Sequence, residues 1–261
     1  MSDAVLLNEL DAAGCRRLTL NRPDRRNALS SELVEALIAA FESVRDDADT
    51  RVVILTGTGD KAFCSGADLD PAAAAAGPFA MHRARRRFVD LLLAMQRCGR
   101  PIIGRLAGHA VAGGVGLVAA CDLAVAADDV RIETPEIARG LFPMMIMSLI
   151  ARSVGRKRAL KLVMTGLPVS ATEAAAWGLI NDAVPRDELD RHVDALATQL
   201  ASMSPVVMQL GRQAFYTMED MPLPNALEYL AGQLTVNTLT EDAMEGVMAW
   251  MQRRPPEWKG R

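Results

Sequence analysis

Gly108-His109-Ala110-Val111-Ala112-Gly113-Gly114-Val115-Gly116 lies between an apolar strand-like run, Pro101 to Leu106, and a helix-like run, Leu117 to Cys121. Glycines at such a junction let the backbone approach a ligand closely, because no Cβ stands in the way. The first N–H groups of a helix have no partner inside it and point toward negative charge. Two uses fit the junction: holding a phosphate, or holding an oxyanion that exists only during a reaction.

Outward from this junction the alternation of strand and helix repeats. Strand-like runs recur at Ala4–Leu7, Arg16–Asn21, Val52–Thr56, Pro101–Leu106, Leu123–Ala126 and Ile180–Val184. Between them, Ser31–Val44 carries Leu33, Val34, Leu37, Ile38, Phe41 and Val44 at a 3.6-residue period behind a Ser-Ser cap, and Phe79–Arg97 reads as a second helix. This alternation predicts an α/β architecture. After about Pro185 the pattern turns almost wholly helical, with breaks at Ser204-Pro205 and Pro222-Leu223-Pro224. The division expected is an α/β core over residues 1–190, which carries the site, and a helical region over residues 191–261. The methionine- and leucine-rich surface of that region suits packing on another subunit. Pro71 to Gly77 is nearly all alanine and reads as either a short helix or a loop.

With 261 residues, half of them hydrophobic, the chain can bury one large core. A net charge of −3 gives no pull toward nucleic acid or an anionic membrane, and 4% aromatics argue against base-stacking platforms. Cys15, Cys64, Cys98 and Cys121 have no CxxC spacing, and His82, His109 and His192 are scattered, so no metal motif is expected. Reduced, buried thiols and an N-terminal stretch unlike a signal peptide lead to the expectation of a cytoplasmic protein that handles a small molecule.

Three further segments carry chemistry. Val52–Gly57 leads into Phe63-Cys64-Ser65-Gly66-Ala67-Asp68-Leu69, a strand followed by a glycine-containing loop. Such a loop leaves a backbone N–H free at a sheet edge, or is simply a tight turn around Gly66. Cys64 and Ser65 are poor nucleophile candidates, since neither a G-x-S-x-G elbow nor a nearby histidine is present. Gly114-Val115-Gly116 with Ala119, and Glu133 or Glu136 downstream, partly satisfies a dinucleotide-binding pattern. Glu136, however, follows Pro135 in a turn, among the apolar Ile132, Ile137, Ala138, Leu141 and Phe142. A carboxylate held there has a raised pKa and exchanges protons near neutrality. The arginines from Arg83 to Arg87 read as a solvated helix face. Arg25-Arg26 lies in a turn, and Trp258 beside Lys259 suits docking of the tail.

Taken in order, these pieces resemble the enoyl-CoA hydratase/isomerase (crotonase) superfamily. The matching segments are Leu20-Asn21-Arg22-Pro23 with Asn27-Ala28-Leu29, Ala62 to Leu69, Gly108 to Gly116 with Cys121-Asp122-Leu123, and Thr134-Pro135-Glu136. Later ones are Leu162, Thr165-Gly166, Ala174, Trp177 to Ile180, and Trp258-Lys259-Gly260-Arg261. The resemblance spans essentially the whole chain. It implies a crotonase-like spiral of ββα units with a C-terminal helical trimerisation region, forming a homotrimer or a dimer of trimers. It further implies acyl-CoA thioester substrates of the kind met in fatty acid metabolism, with coenzyme A entering as part of the substrate and no cofactor bound permanently. By position, the Ala67 and Gly113 N–H groups correspond to the oxyanion hole and Glu136 to an acid/base. Arg25, Ala28, Asp68, Leu69, Gly114 and Lys259 correspond to places near the CoA and the thioester. Nucleic acid and membrane are not expected partners.

One departure matters. Hydratases of this superfamily use two glutamates; Glu136 fills the second place, but the first corresponds to Gly116, which has no side chain. One carboxylate is enough to move a proton between two carbons, so the resemblance with this departure favours Δ3→Δ2 enoyl-CoA isomerisation. Hydration stays open if Glu133 or His109 serves as a second proton handler. A non-catalytic CoA- or dinucleotide-binding protein is the alternative from another class. Met144, Met145 and Met147 suit either an adaptable acyl pocket or core packing.

Overall fold

Val52–Gly57 is buried at every position, as a central parallel strand with both faces covered must be. The computed structural model describes residues 4–68 and 77–261, so the expectations for Leu69 and for Pro71 to Ala76 lie outside the described residues. The six-stranded sheet is built from β1 (Leu6–Leu10), β2 (Cys15–Leu20), β3 (Val52–Gly57), β5 (Ile102–Leu106), β7 (Leu123–Ala127) and β10 (Asp182–Val184), side by side in that order. Every pairing is parallel except β1 with β2, a hairpin. A four-stranded sheet takes the remaining strands in the order β4 (Ala62–Cys64), β6 (His109–Val111), β8 (Arg131–Glu133) and β9 (Val169–Ser170). The chain thus steps between the two sheets: β3 and β4, β5 and β6, and β7 and β8 are successive, with a helix before each return. This is the expected spiral of ββα units.

Helix α1 (Ser31–Asp46) starts where the Ser30 hydroxyl accepts the Leu33 N–H at 3.2 Å, and all six of its predicted apolar positions are buried. It packs on α2 (Pro78–Arg97), whose Phe88, Leu91 and Met95 face the core. Helix α3 (Gly113–Ala120) is eight residues long and apolar around nearly its whole circumference, because it is buried between other elements. Helix α4 (Met147–Thr165) is broken at Gly155 (φ 74°), and α5 (Ala171–Trp177) is capped by the Ser170 hydroxyl.

At the C-terminal end, α6 (Leu189–Ala201) lays Leu189, Val193 and Ala197 on the large sheet. Then α7 (Pro205–Met218), α8 (Leu223–Thr238) and α9 (Glu241–Gln252) follow. Arg212 of α7 ties this region to the core: its Nε donates to both Asp122 carboxylate oxygens at 2.9 Å, and its other nitrogens donate to the Met95 and Gln96 carbonyls. The tail docks as its composition predicts. Trp258 Nε1 donates to the Ser202 carbonyl at 2.8 Å, and the Lys259 N–H donates to Asp242 at 2.7 Å. A cavity of about 1040 Å³ lies between these helices and the core, lined by Leu149, Val207, Phe215 and Val247 among others. Leu223, Leu227, Leu234, Val247 and Trp250 leave α8 and α9 with an exposed apolar surface. No helix among the described residues is long and apolar enough to cross a membrane.

Candidate active site

Strands β4, β6 and β8 are neighbours and run parallel, so their C-terminal ends lie side by side. From those ends leave Ser65–Asp68, Ala112–Gly116 and Thr134–Glu136. Three segments distant in sequence thereby meet at one sheet edge, where parallel sheets characteristically bind ligands.

The first two segments each present a free N–H. Ala67 forms an isolated parallel bridge with Leu29, in which the Leu29 N–H donates to the Gly66 carbonyl at 2.8 Å and the Asp68 N–H to the Leu29 carbonyl at 3.0 Å. In such a bridge the groups of Ala67 itself point the other way. Gly113 is the first residue of α3, and its N–H is one of the helix's orphan donors. Among the described residues neither N–H has a hydrogen-bond partner. The two loops touch: a Cβ added at Gly66 would lie 3.0 Å from the Gly113 nitrogen and 2.8 Å from the Ala112 Cβ. That crowding, with a φ of 87° at Gly66, admits only glycine there. Ala112 adopts φ 51° without being glycine, a strained conformation held by its N–H to the Glu133 carbonyl at 2.9 Å. Leu29 and Phe88 carbons border Gly113, at 3.5 Å and 3.6 Å from where its Cβ would be. Apolar walls of this kind strengthen any hydrogen bond the donors make to an oxyanion.

Glu136 sits in the 3-10 turn Pro135–Arg139, which Gly140 closes in a left-handed conformation. Its Oε2 is buried and is the one such side-chain atom without a hydrogen-bond partner among the described residues. Burial pushes its carboxyl above the usual glutamate range, offset only in part by its own N–H and by the Arg139 charge. A half-buried carboxyl with one unpartnered oxygen, carried at the same sheet edge as two unpaired N–H groups, can exchange a proton with a bound molecule whose developing negative charge those N–H groups accept.

The remaining predicted residues fall differently. Asp68 is gripped by Arg22 at 2.6 Å, and the Ala28 carbonyl accepts from the same guanidinium, so both hold the turn together. Asn27, buried and at φ 54°, clamps this turn to the Ala62 carbonyl at 2.8 Å. Arg25 is exposed, its guanidinium without a partner among the described residues, next to the Ser65 segment whose N–H donates to the Arg26 carbonyl. Gly114 lies against the Cys64 carbonyl and carbon atoms, which allow no Cβ there. Lys259 lies in the tail that follows α9, its Nζ 3.6 Å from the Glu241 carboxylate. At Gly116 a Cβ would overlap Ile146 and lie 3.4 Å from Phe88. Sequence reasoning misses both of these side chains; the signal available is a buried glycine mid-helix, which helix propensity alone disfavours.

Several alternatives lose their support. His109 is exposed at the opposite end of β6, its Nδ1 accepting the Arg131 N–H at 3.1 Å, so it cannot serve this edge. Cys64 is buried, and burial pushes its thiol up to about 12, which removes it as a nucleophile. The dinucleotide pattern fails on topology: α3 follows β6 of the small sheet, but the next strand, β7, belongs to the large one, so no βαβ unit spans the glycines.

Residues 11–261 match the enoyl-CoA hydratase/isomerase family. The chain belongs to this family. It is 35% identical over 258 residues to rat enoyl-CoA hydratase domain-containing protein 3, mitochondrial, covering 98% of this chain and 85% of that protein. It is 33% identical to the 2,3-dehydroadipyl-CoA hydratase of Escherichia coli K12, covering 94% of each. Among solved structures, an enoyl-CoA hydratase from Mycobacterium smegmatis superimposes with a TM-score of 0.93 at 36% identity, over 97% of this chain and 98% of that one. The family fold expected from the sequence is therefore the fold observed, and processing of acyl-CoA thioesters comes with it.

Proposed function

We propose that this protein is a Δ3→Δ2 enoyl-CoA isomerase, with Glu136 as its one acid/base and the Ala67 and Gly113 N–H groups as its oxyanion hole. The observation that carries this reading is the occurrence together of a half-buried Glu136 whose Oε2 has no partner among the described residues and a glycine at position 116. The thioester oxygen of a 3-enoyl-CoA rests on the two N–H groups. Glu136 removes a proton from C2, the electrons spread through the dienolate onto the thioester oxygen, and Glu136 returns the proton at C4, leaving the double bond between C2 and C3. Each oxyanion donor is worth on the order of 3 kcal/mol in such a step. The raised pKa suits a group that must accept the proton and then give it back.

Hydration of a 2-enoyl-CoA is the second reading, favoured by the hydratase names of the relatives. Purified protein offered a 3-enoyl-CoA and, separately, a 2-enoyl-CoA decides between them; faster water addition than isomerisation overturns the first reading. Loss of both turnovers in Glu136→Gln excludes a purely CoA-binding role. Arg25 is proposed to meet CoA phosphate, since its exposed guanidinium has no partner among the described residues. The exposed apolar surface of α8 and α9 is proposed to pack on further copies as a trimer or a dimer of trimers, which a mass measurement in solution tests. Free cysteines at positions 15, 64, 98 and 121 fit a reducing compartment such as the cytoplasm.

A further inference from the structure

The space beside Gly116 is filled. A Cβ built there would overlap Ile146 Cγ2, with Ile146 Cβ at 3.1 Å and Phe88 Cζ at 3.4 Å. Ile146 and Phe88 retain only 3% and 8% of their exposure. Ile146 stands immediately before α4 and is fixed from both sides: its carbonyl accepts the Ile150 N–H at 3.0 Å, and the next N–H, of Met147, donates to the Pro143 carbonyl at 3.0 Å. A β-branched side chain is stiff at χ1, and Ile146 Cβ stays at 3.1 Å whichever way its branches turn. Phe88 reaches further and also borders Gly113, so one ring covers both the oxyanion donor and the position three residues on. The space at Gly116 is therefore walled by apolar side chains, whereas Glu136 carries a buried carboxyl oxygen without a partner among the described residues.

We propose that Ile146, backed by Phe88, determines reaction specificity: it occupies the volume that a polar side chain and a water would need at position 116. This rests on the isomerase reading, and it says why the intermediate is protonated by Glu136 alone. Hydration joins a hydroxyl from water to C3 and a proton to C2, so it needs room for the water and a group to orient it. Ile146 supplies neither.

Two measurements test the wall. In thermal melts, Gly116→Ala is expected to lower the melting temperature strongly beside Ile146 and much less in an Ile146→Ala background. Equal shifts in the two backgrounds overturn the proposal whatever the activity. In turnover, Ile146→Ala is expected to raise the ratio of hydration to isomerisation at least about tenfold, Ile146→Val by less, and Gly116→Glu/Ile146→Ala beyond either, while Gly116→Glu alone adds nothing. An unchanged ratio in both Ile146 variants overturns the proposal and leaves the isomerase reading intact. A wild-type protein that hydrates faster than it isomerises overturns both. Should Gly116→Glu/Ile146→Ala fail to fold, the two single Ile146 variants still decide the outcome.

Discussion

In the six-stranded sheet, β2 and β3 pair over six successive residues without a break, and β3 is buried throughout. In the four-stranded sheet no strand exceeds three residues, and the register of β4 against β6 slips between Ala62 and Cys64. The difference follows from what each has to leave undone. A strand that satisfies all its backbone groups holds a scaffold rigidly but offers nothing to a ligand. A strand that stops after three residues gives way to a loop, and the loops after β4 and β6 leave the Ala67 and Gly113 N–H groups without a partner among the described residues. The large sheet thus carries most of the continuous pairing and the small sheet the candidate site.

That comparison breaks if changes at the small sheet's edge cost stability rather than turnover. The largest expected effect is Glu136→Gln, which should lower turnover by roughly 10²–10⁴-fold, the usual contribution of a general acid/base, with the fold intact by circular dichroism. Next comes Gly66→Ala. It forces a side chain onto Ala112 and Gly113 and should misplace the proposed oxyanion donors, costing on the order of 10²–10³ in kcat. Measured with substrates of equal affinity, a change confined to KM would instead show that the loop only binds. On the large sheet the expectation reverses: Ile103→Ala, at a fully buried position, should cost about 2–5 kcal/mol in denaturant melts while kcat per folded molecule stays unchanged.

The smallest effect sharpens the comparison through pH. Because burial raises the Glu136 pKa, the folded chain keeps a proton that the unfolded chain releases. Stability therefore falls as pH climbs from the ordinary carboxylate range through the raised value. An amide in place of the carboxyl has no such proton to lose, so Glu136→Gln should melt slightly higher than the wild type at about pH 8, with the difference gone near about pH 4. A variant that melts lower at both pH values would mean that Glu136 holds the turn together instead.

Legibility in the sequence divides along the same line. The runs at Arg16–Asn21, Val52–Thr56, Pro101–Leu106, Leu123–Ala126 and Ile180–Val184 fall on β2, β3, β5, β7 and β10; β3, β5 and β7 are the most apolar because they are buried on both faces. The run at Ala4–Leu7 falls two residues early against β1, whose far end is polar and exposed. None of β4, β6, β8 and β9 stands out in the sequence as a strand, since two or three residues are too few to show a period. Helix α3 begins at Gly113 and not at Leu117, its glycines masking the start because they are poor helix formers. At the site, motif order leads to Glu136 and the two donor positions. It does not lead to the Arg22–Asp68 pair or the Ile146–Gly116 contact, because both join segments far apart in the chain, and no local pattern encodes such a meeting.

Helix α3 has one more consequence. Six of its eight residues are buried, so Gly113 rides on an element that cannot shift without disturbing the core. Glu136 rides on a short turn whose outer residues, from Ile137 to Leu141, are all exposed. On the isomerase reading proposed above, the substrate's oxygen is held by the buried helix and its carbons are addressed from the exposed turn. A proton lifted from one carbon and set down two bonds away, as that reading requires, asks for such a division: a still anchor for the oxygen, and an acid/base carried on a separate element.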